Sequence, residues 1–343
     1  MSGNSTWTSN YSVLNHTAAT NLTPKHPSLD PFFTLMIVIV GAVGNLLICM
    51  AILLDKKLQS VSNYYLLSLS IADFLMSVVI IPIRYMMLYN VLNPSAYFLC
   101  HLYLAGDHIL LTASTLHICT ISLERYFAIK DPLGKVRSST GSLTVRIILL
   151  WLASGVLIAT PFGLTIVLYG PKEDGDYHCS NLQYFRLVTI TQAVVILLAV
   201  VVVFYTFIRT VVILRNLGNE QRRSREGDRN GIIRSVSTIT KSSSSSSSRG
   251  LLEDTEKRAL IVVWLLSFAF IIAVLPLTVM LSIYMIVGEL CNNTAEVVLI
   301  VAFYTYHTYT VTDPIIYVIF VKRFRDNFKD ILLLKFDTFK CCK

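Results

Sequence analysis

Apolar residues are gathered into seven long segments that alternate with polar stretches along the chain. Each segment has about 20 residues or more, enough for an α-helix to cross the hydrocarbon core of a bilayer. In lipid, backbone N–H and C=O groups must be satisfied within the segment, which favours helices. The pattern therefore predicts seven spanning helices, at about 32–54, 63–88, 97–129, 145–168, 185–214, 257–287 and 295–320.

The regions outside these spans differ in character. Residues 1–31 form a polar tail, and residues 321–343 follow the last span. Between the fifth and sixth spans, residues 215–256 are hydrophilic and contain a serine run at 242–248. Such a composition buries too little apolar surface to offset chain entropy, so we predict a disordered inner loop. This loop is either a target of kinases or a plain flexible linker.

A short amphipathic helix is predicted directly after the seventh span. Phe324, Phe328 and Ile331 recur at helical spacing with basic residues between them. A helix of this kind lies along the membrane surface with its apolar side buried. Beyond it, Cys341 and Cys342 are candidates for palmitoylation. The predicted fold is all-α, an integral membrane bundle of seven helices in residues 32–320 followed by a short eighth helix.

Composition agrees with a membrane protein and excludes other classes. The 343 residues are 54% hydrophobic and only 15% charged, which is too apolar for an ordinary soluble domain. A net charge of +8 would suggest nucleic acid in a soluble protein, but here the basic residues concentrate in particular loops. Their distribution indicates topology, and we expect membrane lipids but no nucleic acid as partners.

Two signals place the N terminus outside the cell. Of the 29 basic residues, the predicted outer side contains only Lys25, Arg84, Lys172 and Arg186. The sequons for N-glycosylation lie on the same side, at Asn4, Asn10, Asn15, Asn21 and Asn292. We therefore expect a multi-pass protein of the plasma membrane with an extracellular, glycosylated N terminus.

The third span carries two charged sites on one helix face. Asp107 is about 10 Å along the helix from Cys100, and Arg125 follows about 27 Å further inward. Their separation of 18 residues makes whole turns, so the acid and the cluster Glu124-Arg125-Tyr126 share a face. A buried carboxylate needs a cationic partner, and the ammonium group of an extracellular ligand would supply one. Alternatively, His307 of the seventh span neutralises Asp107 from within.

A second pair of acids lies deeper in the predicted bundle. Asp73 and Asp313 fall at similar depth in the second and seventh spans. Ionisable groups inside a membrane are costly, so these side chains are expected to face the bundle and find partners there. Facing carboxylates either share a cation such as sodium, or one keeps a proton. A hydrogen-bonded structural role is the alternative for Asp73.

Cysteines on the outer side predict a covalent link above Asp107. Cys100 begins the third span, and Cys179 lies in the outer loop that follows the fourth span. Both mature in an oxidising compartment, so we expect a disulfide that ties this loop over the bundle.

Features at the inner ends of the spans predict a contact that would have to break if those ends separated. Glu256 begins the sixth span and is placed to pair with Arg125 across the bundle floor. Pro276 is expected to kink the sixth helix, and Pro82 the outer half of the second. Ser77 and neighbouring helices would satisfy the carbonyl that Pro82 leaves unpaired.

Together, these motifs resemble those of the rhodopsin-like family of G-protein-coupled receptors over residues 32–334. The resemblance rests on seven motifs in order: Gly44-Asn45, Leu69 to Asp73, Cys100 with Cys179, Glu124-Arg125-Tyr126, Trp151, Phe270 with Pro276, and Asp313-Pro314-Ile315-Ile316-Tyr317. It implies a ligand pocket among the outer helix halves and a heterotrimeric G protein received at the inner face. Arrestin and receptor kinases are further expected partners.

Within that family, an acid seven residues after the third-span cysteine resembles the receptors for biogenic amines, including serotonin, dopamine, octopamine and histamine. The resemblance implies that a small cationic ligand binds among Asp107, His108, Leu111, Thr189, Ala193, Thr278, Phe303 and His307. It implies a sodium site at Asp73, Ser114, Thr310 and Asp313. Coupling and switching are expected at Glu124, Arg125, Tyr126, Tyr205, Glu256, Pro276 and Tyr317.

Several residues depart from the family pattern. The usual tryptophan two residues before Pro276 is Val274, and the positions after the proline are Leu277 and Thr278. Because an amine pocket normally offers aromatic faces to the cation, we expect this pocket to lack them. Other departures are Leu197 for proline, Tyr304 for tryptophan, His307 for tyrosine and a non-hydroxyl residue at Ala193.

Two alternatives remain open from sequence alone. A divergent receptor could be constitutively active or bind a ligand that is not an amine. A transporter could use Asp73, Asp107 and Asp313 as a cation path, but Glu124-Arg125-Tyr126 then has no role. We expect no enzyme, because the sequence contains no metal-ligand cluster and no nucleophile and base at helical spacing. Apart from a sodium ion, no cofactor is expected.

Overall fold

The computed structural model describes residues 30–88, 97–130, 140–169, 182–232, 243–287 and 305–335. These residues are almost wholly helical. The helices are α1 (Asp30–Leu54), α2 (Val61–Leu75, a π-helical segment Met76–Ile80, and Ile81–Leu88), α3 (Tyr97–Lys130), α4 (Thr140–Tyr169), α5 (Leu182–Ile232), α6 (Ser243–Val287), α7 (Tyr309–Phe320) and α8 (Lys322–Leu332). A 3₁₀ turn, Lys56–Leu58, joins α1 to α2.

Six of the described helices are long and apolar enough to cross a membrane. Large apolar side chains on the outer faces of α4 and α5 are exposed, among them Leu152, Val156, Leu198 and Val201. Exposure on this scale is costly in water but suits contact with lipid tails. The apolar helix α7 lies within the seventh predicted span, whose residues 295–304 are outside the described residues.

Helices α5 and α6 continue past the ends expected from hydrophobicity. The predicted fifth span ends at 214, but α5 continues to Ile232, and α6 begins at Ser243 although the predicted sixth span begins at 257. Residues 215–232 contain no proline, and extending an existing helix costs far less than starting one. The structure therefore has helix at 215–232 and 243–256, where the sequence predicts a disordered loop, and residues 233–242 lie outside the described residues.

A π-helical segment interrupts α2 one turn before Pro82. Proline lacks an N–H and its ring presses on the carbonyl four residues earlier, so the backbone widens at Met76–Ile80. The hydroxyl of Ser77 donates to the carbonyl of Asp73 at 2.8 Å. The irregularity sits where the sequence predicts a kink, and Pro276 lies inside the continuous helix α6.

Small residues let α1 approach α7 closely. A Cβ on Gly44 would lie 2.6 Å from Cβ and Cγ of Pro314, so only glycine fits there without movement. At the next position, Nδ2 of Asn45 donates to the carbonyls of Gly41 at 2.9 Å and Thr310 at 2.7 Å. The fully buried amide therefore holds the two helices together.

The amphipathic helix α8 packs against the inner end of the bundle. Phe324, Phe328 and Ile331 are buried, and the ring of Phe324 lies 4.7 Å from that of Tyr317 on α7. This arrangement confirms the helix predicted from the apolar spacing.

A polar contact that the sequence did not reveal fixes α8 to the turn after α1. Nε and Nη2 of Arg323 donate to the carboxylate of Asp55 at 2.5 Å and 2.9 Å, and Nδ2 of Asn327 donates to it at 3.0 Å. Partial burial would raise the pKa of Asp55, but the hydrogen bonds from Arg323, Asn327 and the Lys57 N–H outweigh it and lower that pKa.

We predict that Asp55→Ala loosens α8 from the bundle. The change removes a bidentate pair and an amide contact, so it should cost about 1–2 kcal/mol and lower the apparent unfolding temperature in detergent by about 2–6 °C. Because the folded pKa of Asp55 is depressed, its contribution is complete above the ordinary carboxyl pKa of about 4 and is lost as pH falls through the lower folded value.

Asp326→Ala is the matched control for this prediction, because Asp326 is an exposed acid on α8 itself. An equal loss of stability in both variants, measured by tryptophan fluorescence or a thiol-reactive dye, would contradict a specific role for Asp55.

Candidate functional site

Asp107 lies on the inward face of α3 and is 7% exposed. The hydroxyl of Tyr306, in the turn before α7, donates to Oδ2 of Asp107 at 3.0 Å. Oδ1 is buried and has no hydrogen-bond partner among the described residues. A buried carboxylate with an unsatisfied oxygen is costly, and a bound donor would relieve that cost.

Two histidines flank this carboxylate without bonding to it. Nδ1 of His108 lies 3.6 Å from Oδ2, and Nε2 of His307 lies 3.8 Å from Oδ1 of Asp107. Both distances exceed those of a hydrogen bond. Nη1 of Arg84 lies 2.7 Å from Nδ1 and 3.0 Å from Nε2 of His307, so the guanidinium donates to that ring. The internal cation nearest to this histidine is therefore Arg84, on α2.

Arg84 is the main site residue that sequence reasoning missed. Its place near the end of the second span made it one of the basic residues assigned to the outer surface. The structure instead turns it toward the bundle, where it is half-buried against His307. A signal was present, because Arg84 is an ionisable residue inside an apolar stretch, and such residues are rare unless they have partners or a function.

Aromatic side chains near Asp107 come from the seventh span. The ring of Tyr306 lies 6.2 Å from that of Tyr309, which lies 5.3 Å from Phe270 of α6, both in edge-to-face geometry. On α6, the buried side chains next to Pro276 are aliphatic. They are Val274 and Leu277, at the positions where the sequence predicts that aromatic residues are missing. The wall expected to lack aromatic residues belongs to α6, and the seventh span places the rings of Tyr306 and Tyr309 near Asp107.

The other residues predicted to line a ligand pocket are buried where the structure describes them. These are Leu111, Thr189, Ala193 and Thr278. The hydroxyl of Thr278 donates to the carbonyl of Val274 at 2.9 Å, so its donor is already used within α6. Phe303 lies outside the described residues.

Gln192 on α5 is a second residue that the sequence analysis did not identify. Its Oε1 accepts a hydrogen bond from the hydroxyl of Thr112 on α3 at 2.9 Å, and that hydroxyl lies 2.7 Å from the carbonyl of His108. Its Nε2 is buried without a partner among the described residues. Gln192 therefore offers a polar donor between α5 and α3. It contacts α3 at Thr112, five residues after Asp107.

The acids predicted for a cation site occupy the middle of the bundle. The hydroxyl of Ser114 donates to Oδ1 of Asp73 at 3.0 Å, and Asp73 is 1% exposed. Asp313 is also buried, and its Oδ2 lacks a partner among the described residues. The hydroxyl of Thr310 donates to the carbonyl of His307 at 2.9 Å. The described residues contain no group of three or more His, Cys, Asp or Glu side chains that could hold a metal ion.

At the inner end, the acid next to Arg125 pairs with another helix. Nη1 of Arg146 on α4 donates to Oε1 of Glu124 at 3.0 Å, a contact that the sequence did not predict. The side chain of Glu256 lies outside the described residues, so its pairing with Arg125 stays a prediction.

Other residues assigned to coupling lie along α3, α5 and α7. The ring of the buried Tyr126 lies 6.4 Å from that of Tyr205, which is exposed on α5. The hydroxyls of Ser122 on α3 and Ser267 on α6 are 3.2 Å apart. Tyr317 is buried between α7 and α8. These contacts join the inner half of α3 to α5 and α6, and α7 to α8.

Several predicted modification sites fall outside the described residues. They are the side chain of Cys100, Cys179, the sequons at Asn4, Asn10, Asn15, Asn21 and Asn292, and the cysteines Cys341 and Cys342. The predicted disulfide, glycosylation and palmitoylation therefore stay predictions.

Known proteins similar to this chain are receptors. A family model described as 7 transmembrane receptor (rhodopsin family) matches residues 44–317. Octopamine receptor beta-2R of Chilo suppressalis is 28% identical over 331 residues, covering 90% of this chain and 80% of that receptor. The 5-hydroxytryptamine receptor 2C of Mus musculus is 26% identical over 334 residues, covering 88% of this chain and 72% of the receptor. The 5-hydroxytryptamine receptor 2C of Homo sapiens is 36% identical over 135 residues, covering 38% of this chain and 30% of that receptor.

The half-satisfied amide of Gln192 yields a test of the site without any ligand. Gln192→Met keeps the volume and removes a buried donor that has no described partner, so the apparent unfolding temperature should stay unchanged or rise. Thr112→Val instead leaves both ends of the amide unpaired and should lower that temperature by about 2–6 °C. Thermal unfolding of the two purified variants decides, and a marked loss in Gln192→Met would show that the amide is structural.

Proposed function

The chain belongs to the rhodopsin family of seven-transmembrane receptors, and we propose that it binds a small extracellular ligand of the biogenic amine class and activates a heterotrimeric G protein. The relatives named for octopamine and 5-hydroxytryptamine support the ligand class. Receptors of this family are not enzymes, and the family match removes the reason to consider a transporter.

The buried carboxylate of Asp107 carries the proposal. It lies in the outer half of α3, and its Oδ1 has no hydrogen-bond partner among the described residues. A ligand ammonium would supply both the missing donor and a positive charge, which is among the strongest contacts available in a dry site. The ring and hydroxyl of Tyr306 beside the carboxylate would complete the ammonium site.

We propose that ligand binding reaches α6 through aromatic rings on the seventh span. Tyr306 bonds to Asp107, its ring contacts Tyr309, and the ring of Tyr309 contacts Phe270 of α6. With Val274 in place of a tryptophan, α6 has no ring of its own at that depth. A ligand that repositions Tyr306 would therefore favour one arrangement of the Tyr309–Phe270 contact, and it shifts the equilibrium only by its better contacts in that state.

At the inner side, the active state would separate α6 from α3. Opening would break the proposed pair of Arg125 with Glu256 and the contact between Ser122 and Ser267. Tyr126, Tyr205 and Tyr317 would then line the cavity that receives the G protein. Arrestin and receptor kinases are the further proposed partners, with the serine run at 242–248 as a phosphorylation target.

We further propose a sodium ion at the centre of the bundle. Asp73, Ser114 and Asp313 supply buried oxygens, and Thr310 lies on the same helix as Asp313. Two buried acids at this depth need a counter-charge, which sodium would provide. The proposed setting is the plasma membrane, with an extracellular and glycosylated N terminus, the Cys100–Cys179 disulfide over the pocket, and palmitoylated Cys341 and Cys342 at the inner surface.

Asp107→Asn tests the anchoring role. The change keeps the shape but removes the charge, so the most potent amine should lose at least about 100-fold in potency. The measurement is nucleotide exchange on a G protein, or cyclic AMP and calcium, across a panel of amines in cells with matched surface expression. Asp326→Asn, at an exposed site on α8, is the control. Unchanged amine potency in Asp107→Asn would remove the proposed anchor.

Tyr309 tests the aromatic route to α6. Tyr309→Leu removes the ring between Tyr306 and Phe270, so agonist efficacy should fall while agonist affinity changes little. An aromatic pair is worth about 0.5–1.5 kcal/mol, which corresponds to a shift of about two- to thirteenfold in the conformational equilibrium. Tyr309→Phe keeps the ring and should signal almost normally. The route is wrong if both variants signal equally well in a G-protein exchange assay.

A further inference from the structure

We propose that the preferred ligand is a zwitterion, an amine that also carries an acidic group, with its ammonium on Asp107 and its acidic group on Arg84. This inference rests on the proposed function, because it names the ligand class of the same site. It arises from a guanidinium that the structure brings to the amine-binding acid from another helix.

Arg84 and Asp107 are separated by a single side chain. Nη1 of Arg84 lies 2.7 Å from Nδ1 of His307, and Nε2 of His307 lies 3.8 Å from Oδ1 of Asp107. His307 is 4% exposed and Asp107 is 7% exposed, and Arg84 is half-buried within an apolar span. Ionisable residues at such depth are retained for a partner or a function.

The charges at the site disfavour a ligand that carries only a positive charge. Arg84 and Asp107 together are neutral, so the site has little net field for a lone cation. An ammonium on Asp107 would also face the guanidinium across about one ring width, and this like-charge repulsion is equivalent to about tenfold in affinity or more. If the ligand also carries an acidic group between its ammonium and Arg84, that group attracts the guanidinium and offsets the repulsion.

The chemistry of the two side chains fits such a ligand. Oδ1 of Asp107 is a buried acceptor without a hydrogen-bond partner among the described residues, and it can receive an ammonium. A guanidinium has five N–H donors in a planar fork that matches a carboxylate or phosphate oxygen pair. Arg84 makes contacts besides those to His307, and its several donors allow an acidic ligand group to join or replace them.

The competing explanation is that Arg84 only balances the charge of Asp107 through His307. The two explanations predict opposite effects of removing the guanidinium. If Arg84 only balances Asp107, its loss strengthens binding of any amine. If Arg84 binds the ligand, its loss weakens binding only of ligands that have an acidic group.

Matched ligand pairs separate these explanations in cells that express the full chain. Each pair is an amine and the amino acid that differs from it only by a carboxylate, such as tyramine and tyrosine, tryptamine and tryptophan, or histamine and histidine. In at least one pair, the amino acid should activate the G protein at a concentration about tenfold lower than the amine. A preference for the amine in every active pair would overturn the inference.

Arg84→Gln makes the test specific to the guanidinium. The potency of the amino acid should fall at least tenfold, and the potency of its amine should stay or rise by up to about tenfold. Arg186→Gln is the matched control, because Arg186 is an exposed basic residue near the outer end of α5. Arg84→Lys keeps the charge without the fork and should restore part of the loss, which also guards against a variant that fails to reach the surface.

The outcomes also distinguish this inference from the proposed function. If amine responses need Asp107 but the potency of the amino acids is unchanged or higher in Arg84→Gln, the amine receptor stands and the zwitterion is refuted. If neither member of any pair gives a response that Asp107→Asn abolishes, the proposed function fails, and the ligand class fails with it.

Discussion

A carboxylate buried within a membrane-spanning bundle has to be neutralised, and the site is arranged around that requirement at Asp107. Asp107 is buried, so donors from another helix or from a ligand are the contacts that would offset the cost of its charge. Tyr306 satisfies one oxygen, and Arg84 contributes positive charge through His307. The second oxygen has no described hydrogen-bond donor. The protein thus compensates the charge of Asp107 only in part. A ligand ammonium would form a favourable contact with the remaining oxygen, Oδ1.

The same group would connect the outer site to α6, the helix that we propose moves. Because Tyr306 is bonded to Asp107 and packs against Tyr309, the seventh span joins the charged site to Phe270 of α6. The aromatic rings that α6 lacks are thereby replaced by rings on its neighbour. Below them, buried acids and serine contacts between helices occupy the centre and inner half. Such polar contacts have discrete alternative arrangements, which suits a two-state switch.

Sequence alone predicted the helices and the single residues better than the contacts between them. Apolar length predicts a span because the bilayer sets its thickness, and spacing along α3 places Asp107 and Arg125 on one face. Partners on other helices depend on how each helix rotates about its axis, which a single sequence does not specify. For that reason Arg84 was assigned to the outer surface, and Tyr306 and Gln192 were missed. The ends of α5 and α6 were misplaced because hydrophobicity marks the edge of the membrane but not the end of a helix.

The account depends on an ammonium taking the open side of the Asp107 carboxylate. An experimental structure of the agonist-bound protein in complex with a G protein measures this directly. We predict a ligand nitrogen within about 3 Å of Oδ1 of Asp107, with Tyr306 still bonded to Oδ2. A structure in which the carboxylate contacts only His307, His108 or Arg84, with the agonist bound elsewhere, would contradict the account.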